Sequence, residues 1–158
     1  LNLDKLFETF ESSLSKFDSD LGMANSRARL RMTTLYQVAA ANKGIVVGTG
    51  NKVEDFGVGF YTKYGDGGVD ISPIADCNKT EVWEIGRELN ILKEIIDAAP
   101  TDGLWDDGRT DEGQLGLKYK ELEEAMNNPN SPNREKYEKI RKINLHKMEP
   151  IPVCKIPN

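Results

Sequence analysis

The sequence predicts an α/β domain built on a parallel sheet, and three neighbouring features carry that expectation. Ile45-Val46-Val47 is a run of β-branched residues suited to a short strand apolar on both faces. Gly48-Thr49-Gly50 stops that strand and opens a polar, glycine-rich stretch reaching Gly68. Asn78-Lys79-Thr80-Glu81 then reads as the capped start of a helix. Strand end, polar loop and helix N-terminus together describe the ligand crevice of an open α/β sheet. One strand is little sheet for such a domain, so the chain reads as a single domain over 1–158 that is part of a larger protein.

The elements follow in order. Leu3, Leu6, Phe7, Phe10, Leu14 and Phe17 recur at helical spacing and predict an amphipathic helix over 2–17. Asn25 can cap a second helix that runs to about Ala41 and ends at Asn42-Lys43-Gly44. Within it Arg27 and Arg31 share one face and Arg29 points elsewhere. Helix, short turn and the strand at 45–47 make half of a βαβ unit. After the glycine-rich loop, Asn78 caps a helix with Val82, Ile85 and Leu89 on its buried face, and a second piece spans 91–99. Pro100 breaks the pattern. The acidic stretch from Thr101 to Gly113, with Trp105 inside it, reads as a mobile lid or a solvated linker. A short helix is expected over 118–126, then a helix capped by Ser131, with Pro132 at its first position, to about Leu145.

Composition bounds the function. At 158 residues, 38% apolar and 30% charged, the chain has the make-up of an ordinary domain with one core. A net charge of −5 argues against bulk nucleic-acid binding, and no apolar run approaches the length of a bilayer span. Cys77 and Cys154 fit no metal or redox spacing, so they read as free thiols in a reducing cytoplasm.

The central loop offers ligand chemistry rather than core. Thr49 supplies a hydroxyl, Glu54 and Asp55 hard oxygen ligands, and Lys63 a point charge. Lys79 in the first turn of its helix opposes the helix dipole, a conflict that a bound anion would remove. Arginine on the second helix either covers the helix surface or clamps a phosphate or carboxylate through its planar fork. No Ser/His/Asp triad and no cysteine nucleophile can be assembled.

The stretch GTGNKVEDFGVGFYTKYGDGGVDISPIADCNKTEVWEIG resembles the central signature of NAD synthetases. Flanking segments agree in order: Asn25-Ser26-Arg27-Ala28-Arg29-Leu30-Arg31-Met32, Pro100-Thr101, Asp111-Glu112 to Leu115-Gly116, and His146-Lys147. The similarity covers roughly residues 20–150. It implies a three-layer α/β/α fold with a parallel sheet, of the adenine nucleotide alpha hydrolase-like kind, incomplete in this chain. It also implies ATP-dependent amidation of deamido-NAD with ammonia, through an adenylated carboxylate, in a homodimer. By the same resemblance Thr49, Lys79 and Thr101 would contact ATP and Glu54 would hold Mg²⁺. Arg29, Lys63, Asp70, His146 and Lys147 would line the deamido-NAD site. The family's Ser-Gly-Gly-x-Asp-Ser pyrophosphate loop has no counterpart here. The chain is therefore expected to be the C-terminal part of the enzyme, inactive by itself. A glutamine-dependent synthetase, an ATP pyrophosphatase acting on another carboxylate, and a non-catalytic nucleotide-binding or dimerisation fragment remain the alternatives.

Overall fold

Residues 1–105 and 107–156 are described by the structure, a computed structural model. Helices α1 (Asp4–Ser13), α2 (Asp20–Ala41), α3 (Lys79–Glu88), α4 (Lys93–Ile96), α5 (Asp111–Leu115), α6 (Tyr119–Asn127) and α7 (Arg134–Met148) follow one another, with a π-helical segment at Lys52–Val58 between α2 and α3. The expected parallel sheet is not formed. Among the described residues the only β pairing is an isolated parallel bridge between Val47 and Ile71.

The local reason lies in how the 45–47 run is satisfied. Val46 is buried at 5% exposure, while Ile45 and Val47 are open at 59% and 52%, so only one side of the run is covered. Gly48 N–H donates to Ile71 O (2.7 Å) and Asp70 N–H to Val46 O (2.9 Å), which makes one rung of a ladder. The Val46 N–H goes to the Asp70 carboxylate (2.8 Å) rather than to a neighbouring strand. A side chain thus takes the group that would have extended the pairing.

The hydrophobic core forms elsewhere, between the π segment, α5, α6 and α7. Val53, Val58, Leu115, Leu117, Tyr119, Leu122, Ala125 and Tyr137 make it, with Phe60, Trp83, Met126 and Ile140 packed against it. The loop expected after Gly48 folds because Asn51, itself buried, accepts at Oδ1 from the N–H groups of Val53 (3.0 Å) and Glu54 (3.1 Å). Gly59 ends the segment at φ +67°, where a Cβ would come 2.7 Å from Asn144 Cβ. Side chains of α7 take its last carbonyls: Tyr137 donates to Gly57 O (3.2 Å), Asn144 to Val58 O (3.0 Å), and Arg141 to Phe56 O and Gly57 O. This is why α7 is fixed against the segment that carries Glu54.

Several boundaries move. The first helix stops at Ser13, where Ser12 and Ser13 bond back to Thr9 O (3.0 and 2.7 Å) and compete with continuation. Ser19, not Asn25, caps α2 by accepting from Gly22 N–H (3.1 Å). Asn25 instead accepts from the Thr62 hydroxyl (2.7 Å) and ties α2 to the glycine-rich stretch. The last helix begins after Asn133, two residues beyond the expected start, and runs to Met148. No helix among the described residues is long and apolar enough to cross a membrane.

Candidate active site

Lys79 heads α3, whose N-terminus is closed by Glu81 Oε2 accepting from Asn78 N–H (2.6 Å). From there its ammonium lies 3.1 Å from Glu54 Oε1 and 5.0 Å from the centre of the Tyr119 ring. Glu54 is held on its other oxygen by Asn51 Nδ2 (2.5 Å), and Tyr119 OH donates to Oε1. Asp111, the first residue of α5, is 7% exposed; its Oδ2 lies 3.2 Å from the same phenol, and its Oδ1 is buried with no partner among the described residues. Burial, then the charge of Glu54, raises the Asp111 carboxyl above the ordinary range. Burial and both carboxylates push the Tyr119 phenol far up, so it stays a neutral donor.

Glu54, Lys79 and Asp111 face a cavity of about 460 Å³, a volume ordinary for a small-molecule site. Thr49, Glu54, Lys79 and Thr101 all line it, together with Asp102 and Asp111. The structure therefore gathers the four residues expected to serve ATP and metal into one cavity. Thr101 arrives there because Asp111 N–H donates to Pro100 O (3.0 Å), joining the start of α5 to the end of the preceding segment. Arg27 and Arg31, on their shared face of α2, donate to Leu104 O and Gly103 O (both 2.8 Å) and fasten the acidic stretch beside the cavity.

The five residues expected at the deamido-NAD site do not line this cavity. Arg29 Nε donates to Lys63 O (3.2 Å) and Lys63 Nζ to His146 O (2.6 Å), so three of them form a chain from α2 to the end of α7. Lys147 is turned inward, donating to Gly59 O (2.9 Å) and Tyr61 O (2.7 Å), and burial lowers its ammonium. It faces a smaller cavity of about 110 Å³ that shares Phe60, Asp66, Asp102 and Leu104 with the larger one. Asp70 stands apart at the Val47–Ile71 bridge, accepting from Val46 N–H and from Tyr36 OH (3.3 Å).

The donor set suits Mg²⁺ in its usual mode, one or two carboxylates completed by phosphate and water. Glu54 and Asp111 are two hard oxygen sources in one wall, and Asp111 Oδ1 has no hydrogen-bond partner among the described residues. No group of three or more metal-ligating side chains occurs among the described residues, so protein alone does not make a closed cage. Sequence reasoning missed Asp111 and Tyr119 as site residues. Asp111 falls within a matched segment and within the acidic stretch, where nothing in the sequence gives it a role of its own, and nothing in its spacing sets Tyr119 apart.

The wall of this cavity carries a lysine from a helix start, two threonine hydroxyls and the carboxylates of Glu54, Asp66, Asp102 and Asp111. The sequence model of the NAD synthase family matches residues 1–155, and the chain belongs to that family. It is 46% identical over 130 residues to the NH(3)-dependent NAD(+) synthetase of Carboxydothermus hydrogenoformans, covering 80% of this chain and 53% of that protein. The corresponding protein of Alkaliphilus oremlandii is 50% identical over 103 residues, 65% of this chain and 40% of the relative. The chain thus spans about half the length of the curated relatives it matches. In three dimensions it is similar to the NMN synthetase from Francisella tularensis, with a TM-score of 0.88 at 33% identity over 100% of this chain and 65% of that one. An NH3-dependent NAD synthetase from Campylobacter jejuni shares the fold, with a TM-score of 0.73 at 22% identity over 98% of this chain and 64% of that one.

Proposed function

We propose that the full-length protein amidates deamido-NAD with ammonia at the expense of ATP, giving NAD, AMP and pyrophosphate. The observation that supports this most is the convergence of Thr49, Glu54, Lys79 and Thr101 on one cavity. A carboxylate repels ammonia and has no good leaving group. Attack of its oxygen on the α-phosphorus of ATP forms a carboxylate–phosphorus bond, and the α–β bridging bond breaks as pyrophosphate leaves. Ammonia then adds to the acyl carbon, AMP departs with the electron pair of the C–O bond, and the extra proton passes to solvent. Both steps are matters of placement and charge rather than of a side-chain nucleophile.

In this reading Lys79 exchanges its partner Glu54 for a phosphate, which frees the carboxylate for a metal ion. Mg²⁺, when bound, neutralises charge on the departing pyrophosphate. Thr49 and Thr101 donate their hydroxyls to the nucleotide. Arg29, Lys63, Asp70, His146 and Lys147 serve deamido-NAD. Asp70 and Lys147 would have to exchange backbone partners for ligand, because the structure shows both engaged. The homodimeric, cytoplasmic state belongs to the same proposal; α1, with no buried residue, offers it free surface.

The test uses deamido-NAD labelled with ¹⁸O in its carboxylate, with ATP, Mg²⁺ and ammonia. One labelled oxygen should appear in AMP for each NAD formed. AMP free of label would overturn the adenylation step. One observation favours a second reading: the likeness to a protein described as an NMN synthetase, which would make the acid form of NMN the substrate of the same chemistry.

A further inference from the structure

Three charged residues of the cavity come from three separate elements: Glu54 from the π segment, Lys79 from α3 and Asp111 from α5. One side chain touches all of them. Tyr119, on α6, donates its hydroxyl to Glu54 Oε1, has that oxygen 3.2 Å from Asp111 Oδ2, and lies with its ring 5.0 Å beneath the Lys79 ammonium. We propose that Tyr119 is a positioning residue that fixes the Glu54 carboxylate in the orientation that receives a divalent cation. The inference rests on the reading of Glu54 as the metal ligand.

Tyr119 is itself held still. It is 1% exposed, its backbone N–H donates to Glu112 Oε1 (2.9 Å), and its ring meets Trp83 edge-on with centroids 5.8 Å apart. A rigid phenol is a fixed point from which a flexible glutamate can be aimed. A carboxylate has about four acceptor sites. Lys79, Tyr119 and Asn51 occupy three of those on Glu54, leaving one direction open. The phenol carries a single proton, so with Glu54 receiving it, Asp111 Oδ2 goes without that donor, and Asp111 Oδ1 is unpartnered among the described residues. Partners of metal ligands of this kind set ligand orientation, and their removal weakens metal binding about 10- to 100-fold.

A residue that only fills the core would be replaced by Phe without consequence for metal. Mn²⁺ is therefore titrated into the full-length protein with pyrophosphate at a fixed concentration, and protein-bound Mn²⁺ read by its enhancement of water-proton relaxation, for the unaltered protein, Tyr119→Phe and Glu54→Gln. We expect Tyr119→Phe to raise the Kd for Mn²⁺ about tenfold or more, with an unchanged circular dichroism spectrum, and Glu54→Gln to abolish saturable binding. A Kd within about twofold of the unaltered protein in Tyr119→Phe, with binding lost in Glu54→Gln, overturns the role of Tyr119 and leaves Glu54 as ligand. Undiminished binding in both, or none in the unaltered protein, overturns both assignments. A second measurement needs no variant: in protein carrying ¹³Cζ-labelled tyrosine, saturating Mg²⁺ should shift the Tyr119 resonance, and an unmoved signal contradicts the proposal.

Discussion

Lys79 Nζ lies 3.1 Å from Glu54 Oε1, joining the start of α3 to the π segment across 25 residues of sequence. Both side chains are largely shielded, at 18% and 14% exposure, so neither charge is comfortable without the other. That pairing explains a lysine in a first helical turn when no ligand is bound, and it makes the pair a natural place for phosphate and metal to intervene.

Replacing Lys79 with Ala should separate the two substrates. The KM for ATP rises about tenfold, while that for deamido-NAD stays within about twofold. Loss of the partner charge also leaves Glu54 under-compensated and lowers stability by about 1–3 kcal/mol. Steady-state kinetics with each substrate varied in turn is the check; equal losses for both would remove Lys79 from the ATP site.

Glu54→Gln keeps size and the capacity to accept from Tyr119, but removes the charge that draws a cation. Turnover should fall about a hundredfold and the dependence on Mg²⁺ concentration should flatten. Unchanged turnover with unchanged Mg²⁺ dependence would remove Glu54 from the metal site.

Asp55 gives a pH signature. Its carboxylate packs over Gly50, where a Cβ would overlap it, and burial followed by the charges of Glu54 and Asp66 raises its pKa from 3.8 to about 7. The folded state therefore binds this proton more tightly than the unfolded state does. The stability it contributes is complete below about pH 4 and declines as pH rises to about 7. Asp55→Asn, studied in metal-free buffer, should raise stability at pH 8 by about 1–2 kcal/mol and have much less effect at pH 4. Denaturant unfolding at the two pH values measures this, and an equal effect at both would contradict the shift.

The acidic stretch is tied to α2 through Arg31, which donates to Gly103 O at 2.8 Å. Arg31→Ala should speed amide exchange over 101–105, and ATP with Mg²⁺ should slow exchange there in the unaltered protein. Amide hydrogen exchange by mass spectrometry reads both. Exchange unaffected by the substitution would mean that the arginine contact does not hold this segment.

Local patterns were legible where a single segment decides its own structure. The capped start of α3, the span of α6 and the opposed faces of Arg27/Arg31 and Arg29 followed from caps and helical spacing. The sheet was not: Ile45-Val46-Val47 has strand propensity, but a ladder also needs partner strands, and Asp70 takes the N–H of Val46. The π segment was invisible because it depends on Asn51 at one end and α7 side chains at the other. For the same reason nothing in the sequence singled out Tyr119 on its short helix. Its meeting with Glu54 and Asp111 spans 65 and 8 residues, and no periodicity records such a contact.

The central claim is tested most directly by following NAD, AMP and pyrophosphate together in the full-length protein. It is supplied with ATP, Mg²⁺ and ammonia, and with either deamido-NAD or the acid form of NMN. The account predicts NAD from deamido-NAD with AMP and pyrophosphate in equal amounts, and slower use of the mononucleotide. Turnover of the mononucleotide with none of deamido-NAD, or NAD formed without AMP, would contradict it.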